Sequence, residues 1–323
     1  TAAGGSADCE KSGEGSSGLF GGDQPEDSSG ALRFTRVQYA GFRVNAEDEL
    51  NGIAFQATGS GTEVSHVQVH NNEDDGIEFF GGTTNARYLV LTGIADDSLD
   101  YTDGWVGNAQ FIIVQHAADD GDQGFEFDNN GDENDATPRS NPNISNFTLI
   151  GVRGSENSDT GILVREGTAG TLVNGIVVDF EGNCLDVDND ATFDQANSGD
   201  LRIASVFFDC TPNFADDPSD DSFSEEDFAL GVGFPQNTNN VEGTTSLSGF
   251  SFVTDFSAIE DEDGNVATPN NATGVTPAPA GPEAGVTVFD VTTLDPFFTD
   301  VDYIGAVRDS SDTWYQGWTL TQQ

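Results

Sequence analysis

Residues 65–83 read SHVQVHNNEDDGIEFFGGT, residues 87–105 read RYLVLTGIADDSLDYTDGW, and residues 110–131 read QFIIVQHAADDGDQGFEFDNNG. Set beneath one another, they share one plan. A β-branched or aromatic strand leads to a polar corner with Asp-Asp, then a second short alternating strand, then a Gly/Asp/Asn turn. Ile77 to Leu99 is a step of 22 residues and Leu99 to Phe125 one of 26. A period of that length with two or three strands marks a parallel β-helix, in which each coil buries its apolar face on the next.

The plan continues outward as NFTLIGVRGSENSDTGILVREG (146–167) and NGIVVDFEGNCLDVDND (174–190). Residues 34–55 fit loosely upstream, and 203–208 begin a further coil. The 37-residue step from Phe125 to Ile162 requires an insertion near 128–142, and Ile162 to Leu185 returns to 23. Alternation in the second strand stacks Ile77, Leu99, Phe125, Ile162 and Leu185 inward, then Phe79, Tyr101, Phe127, Val164 and Val187, with Glu78, Asp100, Glu126, Leu163 and Asp186 outward. The expected fold is all-β: a single-stranded, right-handed parallel β-helix with coils of roughly 22–26 residues. Residues 1–30 read as a Gly/Ser-rich segment, 31–212 as the coils, and 213–323 as the last coils with acidic loops (214–228, 259–265) and a C-terminal capping region.

The chain of 323 residues carries 57 acidic against 10 basic residues, a formal charge of −47. Nucleic acid and anionic lipid surfaces need clustered Lys and Arg, which are absent. Divalent cations are the natural partners of such a chain. No 18-residue apolar run marks an integral membrane segment.

The same register, read from the Asp-Asp corners, stacks Asp74 on Asp96 and Asp119, and Asp75 on Asp97 and Asp120. Carboxylates about 4.8 Å apart repel by about 3 kcal/mol per pair at an effective dielectric of 20. Bound Ca²⁺ would offset that, since carboxylates and carbonyls are its hard oxygen ligands. Asp103, Asp128, Asp186, Asp188 and Asp190 in the turns add further candidates, and the dense segments 128–135 and 186–194 look able to wrap an ion. Solvated turn formers are the plainer reading of the same residues.

Cys184 and Cys210 are one coil apart, the spacing for a disulfide between neighbouring coils, which leaves Cys9 over. His70 and His116 fall near one corner and would suit a transition metal, though surface strand positions explain them as well. Parallel β-helices host pectate lyases and polygalacturonase-type hydrolases. Lyase chemistry needs a basic group, for which Arg87, Arg153 and Arg165 are candidates without a surrounding basic cluster. The GHG and RIK motifs of the hydrolases are missing, and an Asp pair recurring in three coils is more simply a scaffold feature. No catalytic residue is assigned, and the balance leans away from an enzyme.

The strings NNEDDGIEFFGGTTNARYLVLTGIADDSLDYTDGWVGNAQFIIVQ (71–115), DPFFTDVDYIGAVRDSSDTWYQGWTL (295–320) and GGDQPEDSSGALRFTRVQYAGF (21–42) resemble a family of secreted β-helix repeat proteins of marine and other Gram-negative bacteria, described as hypothetical proteins or lipoproteins. The resemblance spans about residues 20–320 and implies no activity. Family members carry further sequence before the GGDxPxDxSG segment, which suggests an exposed first coil open to end-to-end assembly. The expected function is a secreted or cell-surface, calcium-stabilised structural, adhesive or matrix protein, self-assembling into filaments or binding extracellular glycans through aromatics such as Trp105, Trp314, Tyr315 and Trp318. The alternative is a polysaccharide lyase or glycoside hydrolase on the same scaffold.

Overall fold

The computed structural model describes residues 10–13, 15, 17–44, 49–118, 120–215, 223–247 and 278–320. Two parallel sheets alternate along the chain. The long sheet contains β3 (Ala31–Gln38), β5 (Glu63–His70), β7 (Asn85–Thr92), β9 (Asn108–Gln115), β11 (Asn143–Ile150), β13 (Gly170–Val178), β15 (Leu201–Asp209) and β16 (Val241–Glu242). The short sheet contains β4 (Ile53–Gln56), β6 (Ile77–Phe80), β8 (Leu99–Thr102), β10 (Phe125–Asp128), β12 (Thr160–Arg165) and β14 (Asn183–Val187). Each sheet pairs a strand with its equivalent one coil later, which makes the chain a parallel β-helix.

The short-sheet register follows the expected inward ladders, with Ile53, Ile77, Leu99, Phe125, Ile162 and Leu185 in one row. Ring stacking reinforces the interior: Phe79 lies 4.9 Å from Phe55 and 4.2 Å from Trp105, and Tyr101 lies 4.2 Å from Phe127. Trp105 is therefore a core residue, fully buried, with its Nε1 donating to the Thr84 carbonyl. It has no face left for a sugar, contrary to the expectation from its position beside a turn.

The long strands bend. Phe34, His66, Tyr88, Phe111, Asn146, Asn174 and Ser205 occupy one register column, and all have φ between 50° and 63°. Left-handed backbone is costly for bulky residues. Phe34, His66, Tyr88 and Phe111 offset it by stacking their rings at 4.4, 4.5 and 5.0 Å. Asn tolerates this conformation, and Asn146 and Asn174 continue the column.

Beyond the bend, the long strands are apolar on both faces. Val67, Leu89, Ile112 and Leu149 enter the interior, while Val90, Ile113, Ile150, Ile176, Val178 and Phe207 form a second buried layer outside it. Residues 278–320 cover that layer with Val286, Ile304, Ala306, Val307 and Tyr315, flanked by Trp314 and Trp318. This strap contains only two short 3-10 turns among helices and strands, so beside its own turn bonds it relies on side-chain amides of the sheet. Gln110 accepts from Thr299 N and donates to Thr299 O, both at 2.8 Å. Asn174 holds Phe289 the same way at 2.7 and 3.1 Å. Asn146 donates to the carbonyls of Tyr303 and Gly305, and Gln68 accepts from Leu320 N. The neck of the strap is closed by Glu283, fully buried, whose carboxylate accepts from Ser246 Oγ and from the N–H groups of Ser246, Ala280 and Gly281. Burial opposes the Glu283 charge, but these donors outweigh it and lower the pKa.

A small antiparallel hairpin, β1 (Glu10–Ser12) and β2 (Leu19–Gly21), lies against the short sheet through Phe20 on Phe80 and the Lys11–Asp103 ion pair. A disulfide joins Cys184 to Cys210, with Cα atoms 5.5 Å apart; Cys9 lies outside the described residues, as does 259–265. Helix α1 (Asp190–Ser198) follows β14, so residues 186–194 continue from strand into helix rather than wrapping round an ion. Helix α2 (Glu225–Leu230), capped by Ser224, forms in the acidic stretch 214–228.

Replacing Asn174 separates its two roles. Asn174→Gly keeps the bend but loses both bonds to Phe289, and is expected to cost about 2 kcal/mol in denaturant unfolding. Asn174→Ala is expected to cost about 1 kcal/mol more, because Ala resists the left-handed region.

Candidate metal centre

The chemistry-bearing residues gather where each coil turns into the short sheet. Strands β6, β8 and β10 alternate, so Glu78, Asp100 and Glu126 form an outward column. Four residues earlier in each coil stand Asp74, Asp96 and Asp122. The register therefore puts Asp122 and Gln123, rather than Asp119 and Asp120, beside Asp96 and Asp97. Asp122 N donates to Asp96 O at 3.3 Å, and Ser98 N to Gln123 O at 3.1 Å. Three of the four extra residues of this coil fall in its corner, so columns must be counted back from the strand. Asp120 lies within that corner, and Asp119 lies outside the described residues.

Two of these carboxylates hold the backbone. Asp75 Oδ1 accepts from Asp97 N at 3.1 Å, and Asp97 Oδ1 from Gln123 N at 2.8 Å. Three groupings bring carboxylate oxygens within 4.8 Å of one another: Glu49, Asp74 and Asp96; Asp75, Glu78 and Asp100; and Asp75, Asp96 and Asp97. Asp74 Oδ2 and Asp100 Oδ1 are buried with no hydrogen-bond partner. Buried polar atoms are normally satisfied, so two orphaned carboxylate oxygens inside an acidic cluster fit a cation. A hard divalent ion suits an all-oxygen donor set of this kind.

Burial is the leading influence on Asp74, Asp75, Asp96, Asp97 and Asp100. It raises Asp74 to about 7, with Glu49 and Asp96 adding to it, and Asp96 to about 6, with Asp122 and Glu126 adding. Burial also pushes Asp75, Asp97 and Asp100 well above the carboxylate range, followed by the negative charges of neighbours on adjacent coils. Arg43 bonds Glu49 at one margin. At the other, Arg165 bonds Asp128 at 3.0 Å and Glu126 at 2.9 Å. Burial works against the Arg165 charge, but these partners prevail and tighten its hold on its proton.

The remaining candidates lie apart. Asp103 pairs with Lys11 and accepts from Asn130 at 2.8 Å, while Asp128 pairs with Arg165. Asp186 is in register with Leu163 on β12 and β14, and Asp188 and Asp190 lead into α1. His70 and His116 do not share a site. Thr92 separates them by a coil, so they stand about 10 Å apart along the axis. His70 Nδ1 meets Thr92 Oγ1 at 2.7 Å, and His116 meets Ser158 Oγ at 3.1 Å and the Gln123 carbonyl at 3.3 Å. Glu49, Glu78, Asp100, Asp122 and Glu126 were not read as ligands from the sequence. The signal was the recurring spacing Asp74–Glu78, Asp96–Asp100 and Asp122–Glu126, an acid four residues after an acid in three successive coils.

A family model described as a pectate-lyase-like β-helix domain matches residues 3–249. Searches of curated proteins and of solved structures found no match. No helix among the described residues is long and apolar enough to cross a membrane.

The raised carboxylates give a definite pH sign. Their folded forms bind protons that the unfolded chain releases near pH 4, so the metal-free fold gains stability as pH falls from about 7 toward 5. His116 opposes this. Burial lowers it to about 4, so the fold loses its contribution as pH falls below its unfolded value of 6.5. In EGTA the melting temperature is expected to rise between pH 8 and pH 6, and the rise is expected to extend to lower pH in His116→Gln.

Proposed function

This chain belongs to the pectate-lyase-like β-helix family, and from that premise we propose that it is a calcium-stabilised β-helix of the extracellular space or cell surface, with a structural or adhesive role. The observation that carries the reading is the meeting of carboxylates from adjacent coils, with the buried oxygens of Asp74 and Asp100 left for a cation. Asp75, Asp96 and Asp97, with Glu78 and Asp100 beside them, would hold the ion. Calcium would cancel the repulsion that stacking imposes and lock neighbouring coils together. Millimolar Ca²⁺ outside cells suits such sites, and the charge of −47 calls for counter-ions.

The first coil supports self-association. Its core residues Leu32, Val37 and Ile53 are only partly buried, and Phe34, Tyr39 and Phe42 are exposed along the edge of β3. Among the described residues β3 ends the long sheet, and a strand edge of this kind accepts another strand.

A second reading is a calcium-dependent polysaccharide lyase, which the family description and the position of Arg165 favour. Arg165 is on β12, in register with Asp128 and one coil beyond the Glu78–Asp100–Glu126 column. Its bonds to Asp128 and Glu126 make it a poor base as it stands.

Thermal unfolding with excess Ca²⁺ or EGTA, with size followed by light scattering, tests the proposal. At free Ca²⁺ a hundredfold above Kd, each ion is expected to add about 2.7 kcal/mol, a rise of about 4 °C in melting temperature for a chain of this size. Asp75→Asn/Asp97→Asn is expected to lose most of that shift. An equal melting temperature in Ca²⁺ and EGTA would refute calcium stabilisation. Incubation with polyuronates and Ca²⁺, followed by ultraviolet absorbance of unsaturated ends, decides the second reading: product formed by the wild type and lost in Arg165→Ala would establish a lyase.

A further inference from the structure

A cavity of about 180 Å³ lies between the N-terminal hairpin and the turns that follow the short sheet, away from the acidic corner. Its apolar wall is formed by Phe20, Phe80 and Pro138, with the two phenyl rings 6.0 Å apart. Lys11, Asp103 and Asn130 supply its polar end. The floor is held in place before any ligand arrives. Asn129 donates to the carbonyls of Asn134 and Ala136 at 2.9 and 3.1 Å and accepts from Ser140 N at 2.8 Å. Asn130 Oδ1 accepts from the N–H groups of Asp132 and Glu133, leaving its amide nitrogen directed at Asp103.

The chemistry narrows the occupant. An anion would meet a molecule of charge −47 with its only nearby ammonium already paired. A free cation would compete for Asp103 with Lys11, which is tethered beside it and so has a high effective concentration. A purely alkyl ligand would strip water from the Lys11–Asp103–Asn130 cluster without replacing its hydrogen bonds. What remains is a neutral molecule with one apolar face and a rim of hydroxyls. The volume equals about six waters of the liquid, the size of a single six-membered sugar ring. Largely apolar walls with a few fixed polar groups are the usual form of a small-molecule site.

We propose that this cavity binds one neutral pyranose ring, its CH face on Phe20 and Phe80 and its hydroxyls on Asp103, Lys11 and Asn130. The site does not depend on the cation reading.

Calorimetric titration of the full chain with methyl glucopyranoside, galactopyranoside and mannopyranoside, in Ca²⁺ and in EGTA, tests it. At least one glycoside is expected to bind with a millimolar Kd in both conditions. Asp103→Asn and Phe20→Ala are each expected to weaken binding about tenfold. Ala136→Trp, which fills the cavity from the pinned loop, is expected to abolish it even where Phe20→Ala loosens the hairpin. Failure of all three glycosides would overturn the proposal, as would binding unaffected by Ala136→Trp. Cyclohexanol binding as tightly as the best glycoside would overturn the sugar assignment.

Discussion

Adjacent coils of a parallel sheet repeat about every 4.8 Å, so each side chain of a paired strand has its counterpart on the next coil within contact distance. For apolar residues this multiplies gains: Phe55, Phe79 and Trp105 stack because their coils do. For carboxylates it multiplies penalties, and Asp74–Asp96–Asp122 with Glu78–Asp100–Glu126 concentrates them in one corner. Both outcomes come from the same constraint, and the acidic corner is where the fold most needs an external charge.

The molecule has two faces of different character. The short sheet presents acids and a small hairpin outward. The long sheet is apolar on both sides, and a segment with almost no regular structure covers it. That segment satisfies only part of its backbone by turns of its own, and Gln68, Gln110, Asn146 and Asn174 act as a substitute strand edge for part of the rest. The left-handed bend helps to place Asn146 and Asn174, since it turns out of the sheet residues that would otherwise pair within it.

Much of this was legible in the sequence. The alternating strings IEFF, LDYT and FEFD fixed the inward ladders, because a period of two leaves a single solution for a sheet with one buried face. The runs FIIV, GIVV and SVFF carried a different message: continuous apolar strands are buried on both faces. A narrow single core does not account for them, and the cover they require begins 70 to 164 residues further along the chain. The bend was hidden because Phe, His and Tyr rarely adopt positive φ. One of the three acidic corners was misregistered for a local reason: Asp119-Asp120 looks like Asp96-Asp97, but the strand rather than the dipeptide sets the column. Trp105 shows the limit of position as a guide, since a residue beside a turn on a solenoid can still point inward.

The Glu283 clasp has an evolutionary corollary. Ser246 and Ala280, 34 positions apart in the chain, are tied to one carboxylate, so these two points are held side by side. The closure entropy of a segment between two joined points grows only with the logarithm of its length, by about 0.6 kcal/mol per doubling. Insertions, deletions or a whole grafted domain between them would leave the strap, the long sheet and the acidic corner in place. The clasp turns one edge of a rigid rod into a socket where new sequence can be tried at almost no structural risk.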